Sequence, residues 1–434
     1  MKEPRWNHAY DLWREWLGPA KRPQLDRWLA RELNRRRYGK RDRRWYGDIF
    51  FAAARYAELA EFLMRVDREQ GAEGPDWERT IQRFARDDER DLGISGPARF
   101  FHLIRLRLGD SRIKSDVGEP AGGAELLEGL AALARERGGE ARLLMHGIPL
   151  RWRDEVDARR VESGWDDREL ATFIERQSAR PPVWLLPLVG QDPAALLTEI
   201  ARAHPGAGRA GQAVSIPPGE SSATLAPLRE GRAQLQDLAS QGLGSMVAAQ
   251  PGDAVWDACA GGGGKTMQLA CTVGPKGRVF ATDLRRWKLD ELIRRARGAG
   301  MRNVRAATWA GRGAPNLGKH APERFPWVLI DAPCSGTGTW RRRPDGRHRQ
   351  LPADLHDHAA LQSALLREAA NRVAPGGALV YGTCSFAVVE NESVVASFLR
   401  DRPDFVLERK RLMGAHEWDS DTLFGALLRR RAEP

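Results

Sequence analysis

Val255-Trp256-Asp257-Ala258-Cys259-Ala260-Gly261-Gly262-Gly263-Gly264-Lys265-Thr266 reads as a strand that runs into consecutive glycines and then into a helix. Glycine lets the backbone approach a ligand closely, and a helix N-terminus offers free N–H groups to an anion. One strand later, Val279-Phe280-Ala281-Thr282 ends at Asp283, where a carboxylate is placed to accept hydrogen bonds from ribose hydroxyls. Together these features describe an adenosine-bearing cofactor whose charged tail lies over the glycine loop. Gly264-Lys265-Thr266 and the run Trp327 to Asp331 bear a surface likeness to a phosphate-binding loop and its magnesium aspartate. That loop requires glycine where this chain has Cys259, so a nucleoside triphosphatase is not expected. A tight turn without a ligand is the bland alternative, but adjacent glycines cost stability while packing nothing.

Around this stretch, short apolar runs alternate with helical patterns. Candidate strands are Ala254–Trp256, Arg278–Thr282, Val304–Ala307, Trp327–Ile330 and Ala378–Tyr381. Candidate helices are Thr266–Thr272, Arg285–Ala299, Asp354–Val373 and Asn391–Leu399. That alternation predicts a doubly wound parallel α/β sheet over residues 236–434, with ligands at the carboxyl ends of its strands. Residues 1–150 are helical in pattern: Leu12, Trp13, Trp16 and Leu17, then Leu25, Trp28, Leu29 and Leu33, recur at helix-face spacing, and Ala124–Arg137 reads as a further amphipathic helix. Between 151 and 235 the pattern suggests a small mixed α/β region, with helices near Asp167–Arg176 and Pro193–Ala203 and an apolar run at Val183–Val189. His204–Ser222, rich in Gly, Pro, Ser and Ala, reads as a flexible insertion or linker.

The 434 residues suffice for two or three domains, and 42% hydrophobic content supports a sizeable core. An excess of 69 Lys+Arg over 58 Asp+Glu gives a formal charge of +11, which suits a polyanionic partner. Arg35-Arg36-Arg37-Tyr38-Gly39-Lys40-Arg41-Asp42-Arg43-Arg44-Trp45 concentrates that charge beside aromatics. Such a stretch either binds phosphates and stacks on unpaired bases or is a solvated helix surface with its aromatics turned inward. Met1–Trp16 is charged rather than apolar, so no secretory leader is expected, and no run is long and apolar enough for a membrane span. The natural expectation is a soluble cytoplasmic protein, monomeric by default.

Four cysteines, at 259, 271, 334 and 384, show no metal-ligand spacing. So sparse a set fits a reducing compartment and no metal site. Cys259 and Cys271 read as small buried hydrophobes. Cys334 lies in Asp331-Ala332-Pro333-Cys334-Ser335-Gly336-Thr337-Gly338, after one apolar strand. Cys384 lies in Tyr381-Gly382-Thr383-Cys384-Ser385-Phe386, after the next, followed by Glu390-Asn391-Glu392. Neighbouring strands would open both thiols onto the cofactor's crevice.

These motifs, with Gln236-Asp237-Leu238-Ala239-Ser240, Arg341-Arg342-Arg343-Pro344-Asp345, Gln362 and Gly376-Gly377, give a combination that over residues 224–430 resembles the RNA (cytosine-5) methyltransferase family of the bacterial small-subunit rRNA type. The stretch from Leu25 to Arg43 more loosely resembles that family's helical RNA-binding extension. The resemblance implies a Rossmann-like, S-adenosylmethionine-dependent methyltransferase domain behind an N-terminal all-helical domain. It implies RNA as partner, rRNA before tRNA. It implies that Cys384 is the nucleophile, that Cys334 helps to eject the methylated base, and that Asp331 faces both cytosine and cofactor. Cofactor contacts fall on Cys259, Ala260, Gly261, Gly262, Gly263, Gly264, Lys265, Asp283, Thr308 and Asp331. DNA cytosine-5 methyltransferases use the thiol of the Pro-Cys motif instead, so the paired cysteines favour RNA.

The chemistry requires at least one such thiol, and a second can assist release of the product. Carbon 5 of cytosine is too weak a nucleophile to take a methyl group unaided. A thiolate adding to carbon 6 makes carbon 5 electron-rich, and a carboxyl such as Asp331 can hold the proton on N3. The base must be unstacked to reach such a pocket. The chain departs from the family in three places: Gly261-Gly262 replaces Ala-Pro in the loop, Thr308-Trp309 replaces an aspartate after the third strand, and Trp184-Leu185-Leu186-Pro187 replaces Leu-Arg-Val-Asn. Those departures motivate the rival reading, a catalytically silent RNA-binding or ribosome-assembly factor on the same fold.

Overall fold

A computed structural model describes residues 4–19, 21–70, 74–87, 92–109 and 122–432. The first three residues of the Met1–Trp16 stretch therefore lie outside the described part. The chain forms two compact units: residues 1–179 with 340–352, and residues 180–339 with 353–434. The division falls at 179/180, so the segment 151–235 that sequence texture set apart is shared between them.

The first unit is helical. Leu25, Trp28, Leu29 and Leu33 form the buried face of helix Leu25–Arg35, and Leu12, Trp13, Trp16 and Leu17 are buried as the helix period requires. In the basic stretch the aromatics turn inward: Trp45 packs edge-on against Trp6 and Tyr46. Arg36 is committed to Glu15 and His8, while Arg37, Lys40, Arg41, Arg43 and Arg44 are exposed. Asp166 and Glu169 form a capping box that starts helix Asp167–Ser178.

His348 is buried and His146 half-buried, and among the described residues neither has a carboxylate partner. Burial, then Arg107, Arg142 and Arg347, push the His146 imidazole down to about 4 from 6.5. Burial and its arginine neighbours push His348 well below its usual value too, although its Nε2 donates to the Ala54 carbonyl at 2.8 Å. Between pH 6.5 and 4 the unfolded chain therefore binds more protons than the native one, so stability falls as the pH falls through that window. His146 alone is expected to remove up to about 3 kcal/mol. Denaturant melts at pH 7 and pH 4.5 check this, with His146→Gln showing a smaller acid loss than wild type.

The second unit holds two sheets. The larger comprises β5 (Ala254–Asp257), β6 (Arg278–Asp283), β7 (Val304–Thr308), β8 (Phe325–Asp331), β9 (Val373–Thr383), β10 (Phe405–Met413) and β11 (Leu423–Arg430), in the order β10-β11-β9-β8-β5-β6-β7. The pairs from β7 to β9 are parallel, and β11 and β10 extend the sheet antiparallel. Alternate strand residues face opposite sides. Val255, Val279, Leu329 and Val380 pack into one core, and Trp256, Phe280, Val328 and Leu379 into another. This is the Rossmann-like arrangement expected from the glycine-loop stretch. The strand order reverses between β5 and β8, and a crevice at the carboxyl ends of such a pair is where ligands bind.

The smaller sheet, β2-β3-β1-β4, is antiparallel and consists of β1 (Val183–Pro187), β2 (Gly208–Ala210), β3 (Ala213–Ile216) and β4 (Ala233–Leu235). It corrects the reading of His204–Ser222 as a linker. Gly211 takes φ +57° in a tight turn, and β3 buries Val214 and Ile216 beside Leu185, Leu196 and Ile200. The small and turn-forming residues of that stretch serve a hairpin. Among the described residues no helix is long and apolar enough to cross a membrane.

Candidate active site

The glycine loop is built by hydrogen bonds that only its backbone can make. Ala260 N donates to Thr282 O at 2.8 Å, Gly263 N to Ala260 O at 2.9 Å and Gly261 N to the Asp283 carboxylate at 3.0 Å. Gly263 caps helix Gly264–Val273 with φ +85°, and a Cβ there would run into the buried Leu292 side chain. Gly263→Ala is expected to destabilise this unit by roughly 2–4 kcal/mol, from a left-handed backbone and an overpacked core. Gly262 has ordinary space around its Cα, so Gly262→Ala is the control. Thermal melts of the two variants check the contrast.

A cavity of about 740 Å³ opens beside the loop. Its strand-end wall carries three carboxylates, Asp257, Asp283 and Asp331, and its rim carries Lys265, Arg285, Lys288 and Arg295. Burial pushes the Asp283 carboxyl up, but Arg285, which donates from its backbone at 2.9 Å and from Nε at 3.0 Å, outweighs it and holds the group below its usual value. The Arg285 side chain is half exposed and free to yield to ribose hydroxyls. Lys265 Nζ donates to Asp331 at 2.8 Å. Asp257, which the sequence reading gave no role, is fully buried. Burial pushes its carboxyl up to about 7, one oxygen takes the Thr266 hydroxyl at 2.6 Å, and the other has no partner.

The cavity brings together the sequence-predicted residues Cys259, Ala260, Gly261, Gly262, Gly264, Lys265, Asp283 and Asp331. Two predicted cofactor residues stand apart. Gly263 faces Leu292, and Thr308 is exposed and outside the lining, where Trp309, Ala310 and Gly311 form the wall instead. Trp309 is fixed there by an edge-on contact with Trp256 and by a bond from Nε1 to Gly313 O at 2.9 Å. Thr308 thus ends the strand, and the following turn carries the contact. Burial and the three neighbouring aspartates push the Cys259 thiol up, and burial pushes Cys271 up to about 11; both are partly buried, and Cys259 lines the cavity rather than a closed core.

The remaining thiols meet. Cys334 Sγ and Cys384 Sγ are 3.3 Å apart, within sulfur hydrogen-bonding distance. Their loops are bound to each other by groups that the sequence marks only as motif residues of the resemblance, without a role. Glu390, fully buried, accepts from Ser335 N at 2.8 Å, from the Ser335 hydroxyl at 2.5 Å and from Gln362 Nε2 at 3.0 Å. Gln362 also donates to Pro333 O at 3.0 Å. Asn391 accepts from the Thr383 hydroxyl at 2.5 Å and donates to Ser385 O at 2.9 Å. Gly338 N donates to Cys384 O at 3.0 Å. Both Cys loops are thus held by buried, satisfied polar groups, which is how a reactive pair is kept in register. Contact with Cys384, then burial, pushes the Cys334 thiol well above its usual value.

Residues 245–423 match the family model described as 16S rRNA methyltransferase RsmB/F. The chain is 36% identical over 176 residues to the probable ribosomal RNA small subunit methyltransferase B of Synechocystis, covering 41% of this chain and 39% of that protein. It is 30% identical over 295 residues to the ribosomal RNA small subunit methyltransferase B of Klebsiella pneumoniae, covering 63% and 65%. The match thus spans about two fifths of the first relative's length and just under two thirds of the second's. In fold the chain is similar to the crystal structure of PH0851, with TM-score 0.65, 21% identity and 99% of each chain covered.

Proposed function

We propose, from the match of residues 245–423 to the family model of 16S rRNA methyltransferase RsmB/F, that the chain is an S-adenosylmethionine-dependent RNA methyltransferase acting on carbon 5 of cytosine in small-subunit rRNA. The observation that carries the cytosine-5 reading is the contact of the Cys334 and Cys384 thiols at the ends of adjacent parallel strands. Asp331, which ends one of those strands, also lines the cavity. The cavity suits the cofactor in charge. Carboxylates Asp283 and Asp331 match ribose hydroxyls and an ammonium, and the basic rim matches a carboxylate. When bound, the cofactor supplies an electrophilic methyl group.

The chain's own residues do the rest. Cys384 is the nucleophile, its sulfur adding to carbon 6 of the unstacked cytosine while its thiol proton passes to N3. Asp331, oriented by Lys265, holds the proton on N3 that this addition requires. Cys334 stays a protonated thiol, because contact with Cys384 and burial favour its neutral form. Its S–H is therefore a donor to the Cys384 sulfur. Once carbon 5 carries its methyl group and its proton has left to solvent, the bond between carbon 6 and Cys384 breaks, and that S–H stabilises the departing thiolate. The helical unit contributes RNA affinity through the exposed arginines of the 37–44 stretch, in a monomeric cytoplasmic enzyme.

The test is transfer of radiolabelled methyl groups from S-adenosylmethionine to undermethylated RNA, followed by nucleoside analysis. Label in 5-methylcytosine of small-subunit rRNA is the expected result. Label confined to tRNA would move the substrate. RNA binding with no transfer would favour the silent assembly factor.

A further inference from the structure

Helix Arg286–Gly298 and edge strand β7 enclose a groove of about 1110 Å³ that lies outside the cofactor cavity. Its lining carries five arginines, Arg286, Arg294, Arg297, Arg302 and Arg305, against one carboxylate, Asp290. All five are exposed. Asp290 is already engaged by Arg286 at 2.9 Å, and Arg294 reaches Glu291 only at 3.7 Å. The Arg297 and Arg302 guanidiniums have no hydrogen bond or ion pair among the described residues. Strand β7 ends the sheet, and one charged side chain such as Arg305 would suffice to protect that edge from another strand. Edge protection does not require five guanidiniums around one groove.

The groove also has an approach. At the start of the same helix Leu284 is 71% and Trp287 55% exposed, while Arg285 and Lys288 line the cofactor cavity. A basic strip with an exposed indole thus runs from the cavity rim to the groove. Guanidinium forks pair with phosphates, and an exposed aromatic stacks on an unpaired base.

We propose that this groove binds the phosphodiester backbone of the substrate RNA at a distance from the methylated cytosine, with Trp287 stacking at its entrance. The inference rests on the reading of the substrate as RNA. The probe is an unmodified small-subunit rRNA transcript, with binding measured by filter retention over a salt series and without cofactor. For Arg297→Glu/Arg302→Glu/Arg305→Glu we expect affinity to fall at least about tenfold near 0.1 M salt, and the slope of log affinity against log salt to become shallower by about 2. Affinity for S-adenosylmethionine and the melting temperature should stay at wild-type values. Arg297→Gln/Arg302→Gln should fall between, and decides the matter if the triple variant melts early. Wild-type retention and slope in that double variant or in a stable triple variant would overturn the groove alone. A wild-type protein that retains no RNA would overturn the RNA reading and the groove with it.

Discussion

Cys384→Ser is expected to lower methyl transfer by at least about 10³-fold, because a serine hydroxyl cannot form the covalent bond at carbon 6 at neutral pH. Cys334→Ser is expected to fail differently. Addition by Cys384 proceeds, but a serine oxygen is a weaker acid than a thiol and retracts from the 3.3 Å contact. The departing sulfur then loses its donor, and protein should accumulate covalently on RNA. Denaturing gels of labelled RNA with the two variants separate these outcomes: no adduct and no product for Cys384→Ser, adduct with little product for Cys334→Ser. An adduct that persists in Cys384→Ser and vanishes in Cys334→Ser would exchange the roles of the two thiols. Full activity in Cys384→Ser would end the covalent mechanism altogether.

The asymmetry between these thiols illustrates what a sequence can and cannot carry. Their positions were legible because each follows an apolar run, and two such runs in a parallel sheet bring their carboxyl ends to one crevice. The glycine loop and Asp283 were legible for the same reason, since the loop's bonds run between consecutive strands. The supports were legible only as motif residues, and their role was not. Glu390 and Gln362 meet Ser335 and Pro333 from distant parts of the chain, and nothing in their local pattern marks a buried carboxylate apart from a surface one. The 405–413 strand was hidden by its own chemistry: Glu408, Arg409, Lys410 and Arg411 are exposed on an edge strand, so apolar alternation is replaced by charge. The hairpin within 204–222 was hidden by composition, because turn-forming residues mark tight turns as readily as linkers.

Arg341-Arg342-Arg343-Pro344-Asp345 falls by sequence within the expected sheet domain, yet it lies in the helical unit with the rest of residues 340–352. Its role there follows from where backbone carbonyls go. Helix Lys40–Glu69 is broken at Tyr56, which leaves the helical region at φ −116°, ψ 15°. A break of this kind needs groups inserted into the hydrogen-bond ladder. Arg347 Nη1 donates to Arg55 O, His146 O and Gly147 O at 3.1, 3.2 and 2.7 Å, and Nη2 to Gln177 O at 2.9 Å. The His348 ring donates to Ala54 O, and Arg55 returns a bond to Arg341 O at 2.7 Å. Arg347 is fully buried, with the Trp340 ring 5.4 Å from its guanidinium. Among the described residues its charge is therefore compensated by dipoles and a π-face alone. Arg347→Ala would strip donors from four carbonyls, leave a void and destabilise the helical unit by roughly 3–5 kcal/mol. Arg347→Lys would recover only part, since a point ammonium cannot span carbonyls arranged around a planar fork. The measurement is hydrogen exchange across residues 50–60 and 146–148 together with thermal melting. A loss under about 0.5 kcal/mol with unchanged exchange at Leu59 would mean that the break in the long helix holds without its arginine.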